Sequence, residues 1–347
     1  MPEGINRRWL LARRPEGRVE EANFRWEEGP TPSAKDGQML VRNLWISLNP
    51  TAILAISAPE SAGGTPLGAV MVGHVASQVI DSRLPGFQPG DLVEGFSTGW
   101  EDYSAIDGTG FFPARKFSSS VPPNLAIGTL GVTGMAAYFG VLEVARPQAG
   151  ETIVVSAAAG GVGSVAAQIA KIQGLRVIGI AGGKEKCDWL LREAGLDAVI
   201  DHRSEDVGKR LDELCPQGID IYFDNVGGGL LDEALSRLRQ RGRVVVCGGT
   251  SLYAATEQPP GPKNYLNLCM INGRMEGLLA KDYLPRFPEA VRAMQGWLRS
   301  GQLKSKEDIV VGLENAPAAF ARVFEGTNVG KQLVKVADPP LPLKSDG

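Results

Sequence analysis

The chain has 347 residues, 43% of them hydrophobic and 22% charged, with 36 basic and 39 acidic side chains and a formal net charge of −3. That length exceeds one typical domain and predicts two, in a composition ordinary for a soluble globular protein. The near balance of charge offers no electrostatic attraction to nucleic acid or to an anionic membrane surface, and neither is expected as a partner.

The four cysteines, Cys187, Cys215, Cys247 and Cys269, form no C-x-x-C pair, and the two histidines, His74 and His202, lie far apart. This excludes a structural zinc site of closely spaced thiolates and predicts reduced, mostly buried thiols in a cytoplasmic protein. The basic N-terminus holds only a short apolar stretch, Trp9–Ala12. It is too short for a signal peptide, and no run elsewhere approaches a membrane span.

Residues 1 to about 125 read as β-rich and irregular. Strand candidates are Arg8–Ala12, Met39–Leu48, Ala69–Val79 and Leu92–Phe96, separated by Gly, Pro and Ser. From about Gly128 the pattern changes. A helical stretch covers Met135–Val144, after which strands and helices alternate. The strands are Ile153–Val155, Val177–Ile180, Ala198–Ile200, Asp220–Phe223, Arg243–Cys247 and Arg274–Leu279. The helices are Gly163–Gln173, Lys184–Glu193, Val207–Cys215 and Leu230–Arg239. Such alternation predicts a doubly wound parallel sheet, an α/β fold. Pro285–Gly301 reads as a helix. The tail reads as strand Ile309–Leu313, helix Asn315–Glu325 and strand Gln332–Val336. It is expected to return to the N-terminal part.

Between the first of those strands and its helix lies Ala157-Ala-Ala-Gly160-Gly161-Val162-Gly163. Small residues there let backbone N–H groups approach a pyrophosphate at the positive end of the helix dipole. The match to G-x-G-x-x-G is incomplete, because Ala157 stands at the first glycine. A tight turn with no ligand needs one flexible residue, whereas Gly160 and Gly161 supply two. Dinucleotide binding is the reading.

The second strand runs into Ala181-Gly182-Gly183-Lys184-Glu185-Lys186. NAD enzymes usually place a carboxylate at this strand end for the ribose hydroxyls, and none stands directly there. A lysine on a 2′-phosphate would add a charge-assisted bond worth about 1.5–3 kcal/mol, which favours NADPH over NADH. Both lysines also suit a solvated helix start.

Asn225 follows the fourth strand, where it can reach the nicotinamide end of the coenzyme or simply cap a turn. After the fifth strand comes Cys247-Gly248-Gly249-Thr250-Ser251-Leu252-Tyr253, whose phenol is either a proton donor or a packed lid residue. His74, in Gly73-His74-Val75, lacks a following Glu and has no cysteine before it. A catalytic zinc needs three protein ligands, so His74 reads as a satisfied strand histidine.

Several segments together resemble the zinc-independent medium-chain reductases, in particular the prostaglandin reductase, curcumin reductase and alkenal double-bond reductase group. They are Asn6–Pro15, Gly99-Trp-Glu-Asp-Tyr103, Gly131–Gly140, Ala158–Ser164, Ile180–Gly183 with Lys186-Cys187, Tyr222–Gly228, Arg274-Met-Glu-Gly277 and Asn328-Val-Gly-Lys331. The resemblance implies a Rossmann domain over 127–303 and a GroES-like β-rich domain built from both chain ends, 1–126 and 304–347. It implies that Gly160, Gly161, Val162 and Gly163 hold the pyrophosphate and that Lys186 reads the 2′-phosphate. His202 stands where the family usually has a tyrosine near that phosphate. Asn225, Cys247, Gly248, Ser251, Tyr253, Leu278, Leu279 and Asn328 match coenzyme-contacting positions, and Tyr253 matches the tyrosine that polarises or protonates substrate. Asn49-Pro50-Thr51 departs from the family's frequent Asp-Pro-Tyr, which implies that an aromatic wall of the substrate pocket is missing; Ala52–Thr65 is atypical too. The family is often dimeric, so a homodimer is expected by analogy.

The expected activity is NADPH-dependent reduction of the carbon–carbon double bond of α,β-unsaturated aldehydes or ketones, with hydride delivered to the β-carbon. A quinone reductase on the same scaffold and an NADPH-binding protein without turnover are the alternatives.

Overall fold

The computed structural model describes residues 4–253, 255, 257 and 259–344. The chain divides into two compact units, Met1–Gly128 with Glu307–Gly347, and Thr129–Lys306. In chain order the first segment holds β1 (Ile5–Leu11), β2 (Phe24–Pro30), β3 (Met39–Ser47), α1 (Ala52–Ser57), β4 (Val72–Ser82), β5 (Leu92–Gly99), β6 (Tyr103–Ile106), β7 (Arg115–Lys116) and α2 (Pro123–Ile127). The second unit holds α3 (Val132–Phe139), β8 (Thr152–Val155), α4 (Gly161–Ile172), β9 (Arg176–Ala181), α5 (Lys184–Arg192), β10 (Ala198–Asp201), α6 (Val207–Leu214), β11 (Ile219–Asp224), α7 (Gly228–Leu235), β12 (Leu238–Val246), α8 (Asn267–Met270), β13 (Arg274–Gly277) and α9 (Phe287–Ser300). The chain then returns with β14 (Glu307–Val311), α10 (Ala316–Glu325) and β15 (Lys331–Lys335).

The second unit is a parallel sheet in the order β10-β9-β8-β11-β12-β13. The order reverses direction between β8 and β11, which opens a crevice at the carboxyl ends of those two strands. Its strands are apolar almost throughout because helices cover both faces. Val154, Ile178, Ile180, Ile200, Tyr222 and Val244 pack against Leu211, Leu231 and Leu235 from the helices. Burying each such side chain is worth about 1.5–3 kcal/mol, so this layer and not helix propensity fixes the fold.

The other unit carries a sheet in the order β14-β15-β3-β4-β5-β7, with β6 also on β3, and a separate antiparallel pair, β1 and β2. The C-terminal return thus lays β15 antiparallel on β3 and β14 parallel on β15. Phe320 of α10 meets Trp100 edge-on at 5.4 Å, and Phe24 lies 5.4 Å from the same ring. Two segments of the family resemblance meet here. Asn6 donates to Glu101 and to the Tyr103 carbonyl, while Arg7 and Arg42 both pair with the buried Asp102.

The structure corrects several sequence expectations. The helix expected over Leu230–Arg239 ends at Leu235, and β12 begins at Leu238. Leu238 continues the helical spacing of Leu231 and Leu235, yet it is buried as a strand residue opposite Ile219. The stretch Met135–Val144 is a short α3 followed by a π-helical turn over Gly140–Ala145. A Cβ on Gly140 would come within 2.9 Å of Leu278 and of the Phe223 ring, so the chain passes too close to β11 for any larger residue. A 3-10 turn over Ala280–Arg286 precedes α9. Strands β2 and β6 and helix α1 were not anticipated.

Candidate active site

The loop from β8 into α4 is set by one unusual backbone residue. Ala157 has φ of 47°, and its carbonyl accepts from Gly160 at 2.9 Å. The left-handed position is therefore Ala157, and Gly160 sits in extended geometry as the helix N-cap (φ −86°, ψ 179°). The glycines serve space more than flexibility. A Cβ on Gly163 would fall against the Ala157 carbonyl and lie 2.9 Å from Ala158 Cα. No side chain caps α4, so the first-turn N–H groups of Gly161, Val162 and Gly163 remain for a ligand. Ala158 is tied to β9 through its N–H to the Ile180 carbonyl at 2.9 Å.

The carboxyl ends of β8, β11 and β12 are joined by Ser156 and Asp224. Ser156 Oγ donates to Asp224 Oδ1 at 3.2 Å and accepts from the Asn225 N–H at 2.8 Å. Asp224 also accepts from the Val226 and Gly227 N–H groups. Burial nevertheless holds its carboxyl above the usual carboxylate range, against those hydrogen bonds. Asn225 Nδ2 donates to the Ser156 carbonyl at 2.7 Å, which clamps β8 to β11.

The segment 247–253 folds over that junction. Cys247 and Gly248 donate to the Asp224 carbonyl, Thr250 to Asn225, and Ser251 to Val226 through both its N–H and its hydroxyl. Burial drives the Cys247 thiol up to about 12, which keeps it a neutral packing group. Tyr253 turns back over this loop, and its hydroxyl lies 2.9 Å from where a Cβ on Gly248 would stand. Burial raises the Tyr253 pKa, a Gly249 backbone hydrogen bond opposes the rise, and Cys247 and Asp224 add to it. Tyr253 is thus a protonated phenol at neutral pH, a donor and not a base.

At the end of β9, Lys184 pairs with Asp188 at 2.5 Å on the exposed side of α5, whereas Lys186 is half-buried. His202 and Arg203, at the end of β10, crowd Gly182. Arg203 directly follows His202 in sequence but carried no motif that marked it. Ser156 and Asp224 carried none either, because their joining role depends on strand order.

After β13, Leu278 donates its N–H to the Val246 carbonyl, and Leu279 is exposed. Asn328 stands in the other unit, between α10 and β15, with Nδ2 on the Gly330 carbonyl at 2.9 Å. His74 is fully buried on β4, bound through Nε2 to Glu94 and stacked on Phe96 at 4.8 Å.

The sequence matches the family described as N-terminal domain of oxidoreductase over residues 7–114 and the one described as zinc-binding dehydrogenase over 161–295. It is 40% identical to the NADPH-dependent curcumin reductase of Escherichia coli (strain K12), over 96% of this chain and 97% of that one. The chain belongs to the zinc-independent medium-chain reductases. The reductase is 39% identical to (+)-pulegone reductase of Mentha piperita, over 88% of this chain and 90% of the other. The crystal structure of CurA from Vibrio vulnificus in complex with NADPH, 38% identical, superposes with a TM-score of 0.89 over 96% of this chain and 100% of that one.

The coenzyme of this reductase is NADPH, and the residues present fit it. The turn packs so closely on Gly163 that a Cβ there would fall against the Ala157 carbonyl, and α4 begins without a side-chain cap, which leaves its first N–H groups for a diphosphate. Despite the name of the second matched family, no group of three or more His, Cys, Asp or Glu among the described residues could hold a metal. Among those residues, too, no helix is long and apolar enough to cross a membrane.

Proposed function

We propose that this reductase saturates the carbon–carbon double bond of α,β-unsaturated aldehydes or ketones, with Tyr253 as the donor to the carbonyl oxygen. NADPH, when bound, supplies the hydride, which goes to the β-carbon. Negative charge then grows on the carbonyl oxygen, where the neutral phenol stabilises it by donating a hydrogen bond, and the enolate takes its proton at the α-carbon from water to give the saturated carbonyl. Gly160, Gly161, Val162 and Gly163 would hold the pyrophosphate and Lys186 the 2′-phosphate. Ser156, Asp224 and Asn225 keep the two strand ends that flank the crevice in register. Most of the acceleration comes from holding donor and acceptor in contact.

The observation that carries this reading is the Tyr253 hydroxyl, lying against Gly248 at the carboxyl edge of β12 and kept protonated by burial. The curcumin and pulegone reductases among the relatives support the substrate class. The test is NADPH and NADH oxidation with a panel of enals, enones and quinones. Faster turnover of enals and enones supports the reading. Turnover of quinones alone, or tight NADPH binding with no turnover, contradicts it.

A cytoplasmic location is supported by the four cysteines, all unpaired, with Cys187 and Cys215 buried. A homodimer is supported by β13, an edge strand with Met275 exposed on it and Leu266 and Met270 exposed just before it. Light scattering of the purified chain tests the second point: a mass of one chain contradicts it.

A further inference from the structure

We propose that Asp224 acts on the hydride transfer through its charge, as a buried carboxylate at the end of β11 that favours the positive ring left when the nicotinamide gives up its hydride; this rests on the nicotinamide half of NADPH lying at the carboxyl ends of β11 and β12. The sheet supports that placement. The pyrophosphate turn leads from β8 into α4, and the adenosine ribose belongs at the end of β9. The other half of the coenzyme then lies across the crevice, where the strand order reverses.

Asp224 is buried and forms the last rung of β11, opposite Val246 of β12. Its Oδ1 accepts from Ser156 Oγ at 3.2 Å, from the Val226 N–H at 3.1 Å and from the Gly227 N–H at 2.9 Å. Three donors on one oxygen suit a carboxylate and not a carboxylic acid. None of the groups that act on it most strongly is a cation. Burial comes first and raises the pKa; the Gly227 and Val226 N–H groups and then the Ser156 and Tyr222 hydroxyls oppose the rise, and all four are neutral. Buried charges are normally paired, so this anion is poorly matched by its own chain.

A coenzyme in the crevice can supply the missing partner in one redox state only. The reduced nicotinamide ring is neutral, whereas the oxidised ring carries a positive charge. A fixed anion at this strand end therefore favours the oxidised ring, and with it the transition state in which that charge develops. The field of Asp224 already reaches the loop that covers the junction. Burial is the first cause of the raised Cys247 and Tyr253 pKa values, and the Asp224 charge adds to both. The same charge thus helps to keep the Tyr253 phenol a donor. A carboxyl that served only to staple β8, β11 and the 225–227 turn would act on both redox states of the coenzyme alike.

The test is calorimetric titration of the purified chain with NADPH and, separately, with NADP⁺, for wild type, Asp224→Asn, Asp224→Ser, Ser156→Ala and Gly163→Ala, with thermal melts to confirm folding. Asp224→Asn keeps an oxygen acceptor and removes the charge. It should weaken NADP⁺ by about 5- to 20-fold relative to NADPH. Asp224→Ser removes the charge with a smaller side chain, should shift the preference the same way, and carries the test if the amide variant does not fold. Ser156→Ala removes one hydrogen bond and leaves the charge, so its preference should stay within about twofold of wild type. Equal losses of NADPH and NADP⁺ in the Asp224 variants, no loss of either, or a shift as large in Ser156→Ala would make Asp224 a staple and overturn the proposal. Gly163→Ala should weaken both coenzymes alike. If it leaves both unchanged, the placement of the coenzyme fails and the proposal with it, a result distinct from an error about Asp224 alone.

Discussion

Lys331 Nζ donates to Asn49 Oδ1 at 2.7 Å and to the Leu48 carbonyl at 2.7 Å, deep in the β-rich unit. Both partners are neutral. The structure thus joins two segments that stand far apart in sequence, Asn49-Pro-Thr and Asn328-Val-Gly-Lys331. With burial uncompensated by an anion, the Lys331 pKa falls from 10.5 to about 7.

That shift makes stability depend on pH in a definite direction. Between about pH 7 and 10.5 the unfolded chain carries a proton that the folded chain has released. Raising the pH therefore favours the folded state, by up to about 1.4 kcal/mol per unit from this one group. Below about pH 7 both states carry the proton and the cost of the buried charge is fully present. Lys331→Met should flatten the rise measured by urea unfolding at pH 7, 8 and 9. It should also destabilise by about 1–3 kcal/mol at pH 9, because Leu48 and Asn49 lose their donor. A mutant with the wild-type pH slope would show that Lys331 does not titrate there. The window stops at pH 9 because the buried thiols of Cys187, Cys215 and Cys247 have raised pKa values and act in the opposite sense above it.

Gly163 and Gly296 are both helical glycines in the same unit, and alanine should act on them with opposite sign. At Gly296 a Cβ meets nothing within 4 Å, so Gly296→Ala should gain about 0.5–1 kcal/mol from helix propensity alone. At Gly163 the same gain is outweighed by collision with the Ala157 carbonyl, a backbone atom that cannot swing aside. Overpacking of this kind costs about 1–3 kcal/mol, and the loop must shift to relieve it. Gly163→Ala should therefore melt at a lower temperature and bind NADPH at least about tenfold more weakly. Thermal melts and coenzyme titrations of the pair check this; equal behaviour of the two variants would mean the cradle is not shaped by Gly163.

Tyr253→Phe keeps the ring while removing the hydroxyl and its Gly249 backbone hydrogen bond. Turnover of an enone should fall by about 10²–10⁴-fold, the usual effect of losing one proton donor. The dissociation constant for NADPH should stay within about twofold, measured by fluorescence titration. An unchanged rate would take Tyr253 out of the mechanism.

The parallel half of the fold was legible because a strand buried on both faces has to be apolar from end to end. Ile153–Val155 and Val177–Ile180 could hardly be anything else once a helical period lay between them. The β-rich half was harder. Strand β2 contains Glu27, Glu28, Gly29 and Pro30, and its exposed residues are the unevenly spaced Arg25, Glu28 and Pro30, so neither hydrophobic run nor clean alternation marks it. Leu238 imitated the next turn of a helix, and only its partner across the sheet, Ile219, makes it a strand residue. At the site, Gly163 and Tyr253 were legible as residue types in a pattern. Ser156 and Asp224 were not, because their hydrogen bond exists only once β8 and β11 lie side by side; Lys331 and Asn49 form a pair only once β15 has returned to β3.

The most direct test of the account follows the hydride. The reductase would be given NADPH carrying deuterium at the transferable position of the nicotinamide, together with a simple enone, and the product examined by NMR. The account predicts a saturated ketone with its carbonyl intact and deuterium on the former β-carbon. Deuterium on a newly formed carbinol carbon, or a reduced product containing none, would contradict it.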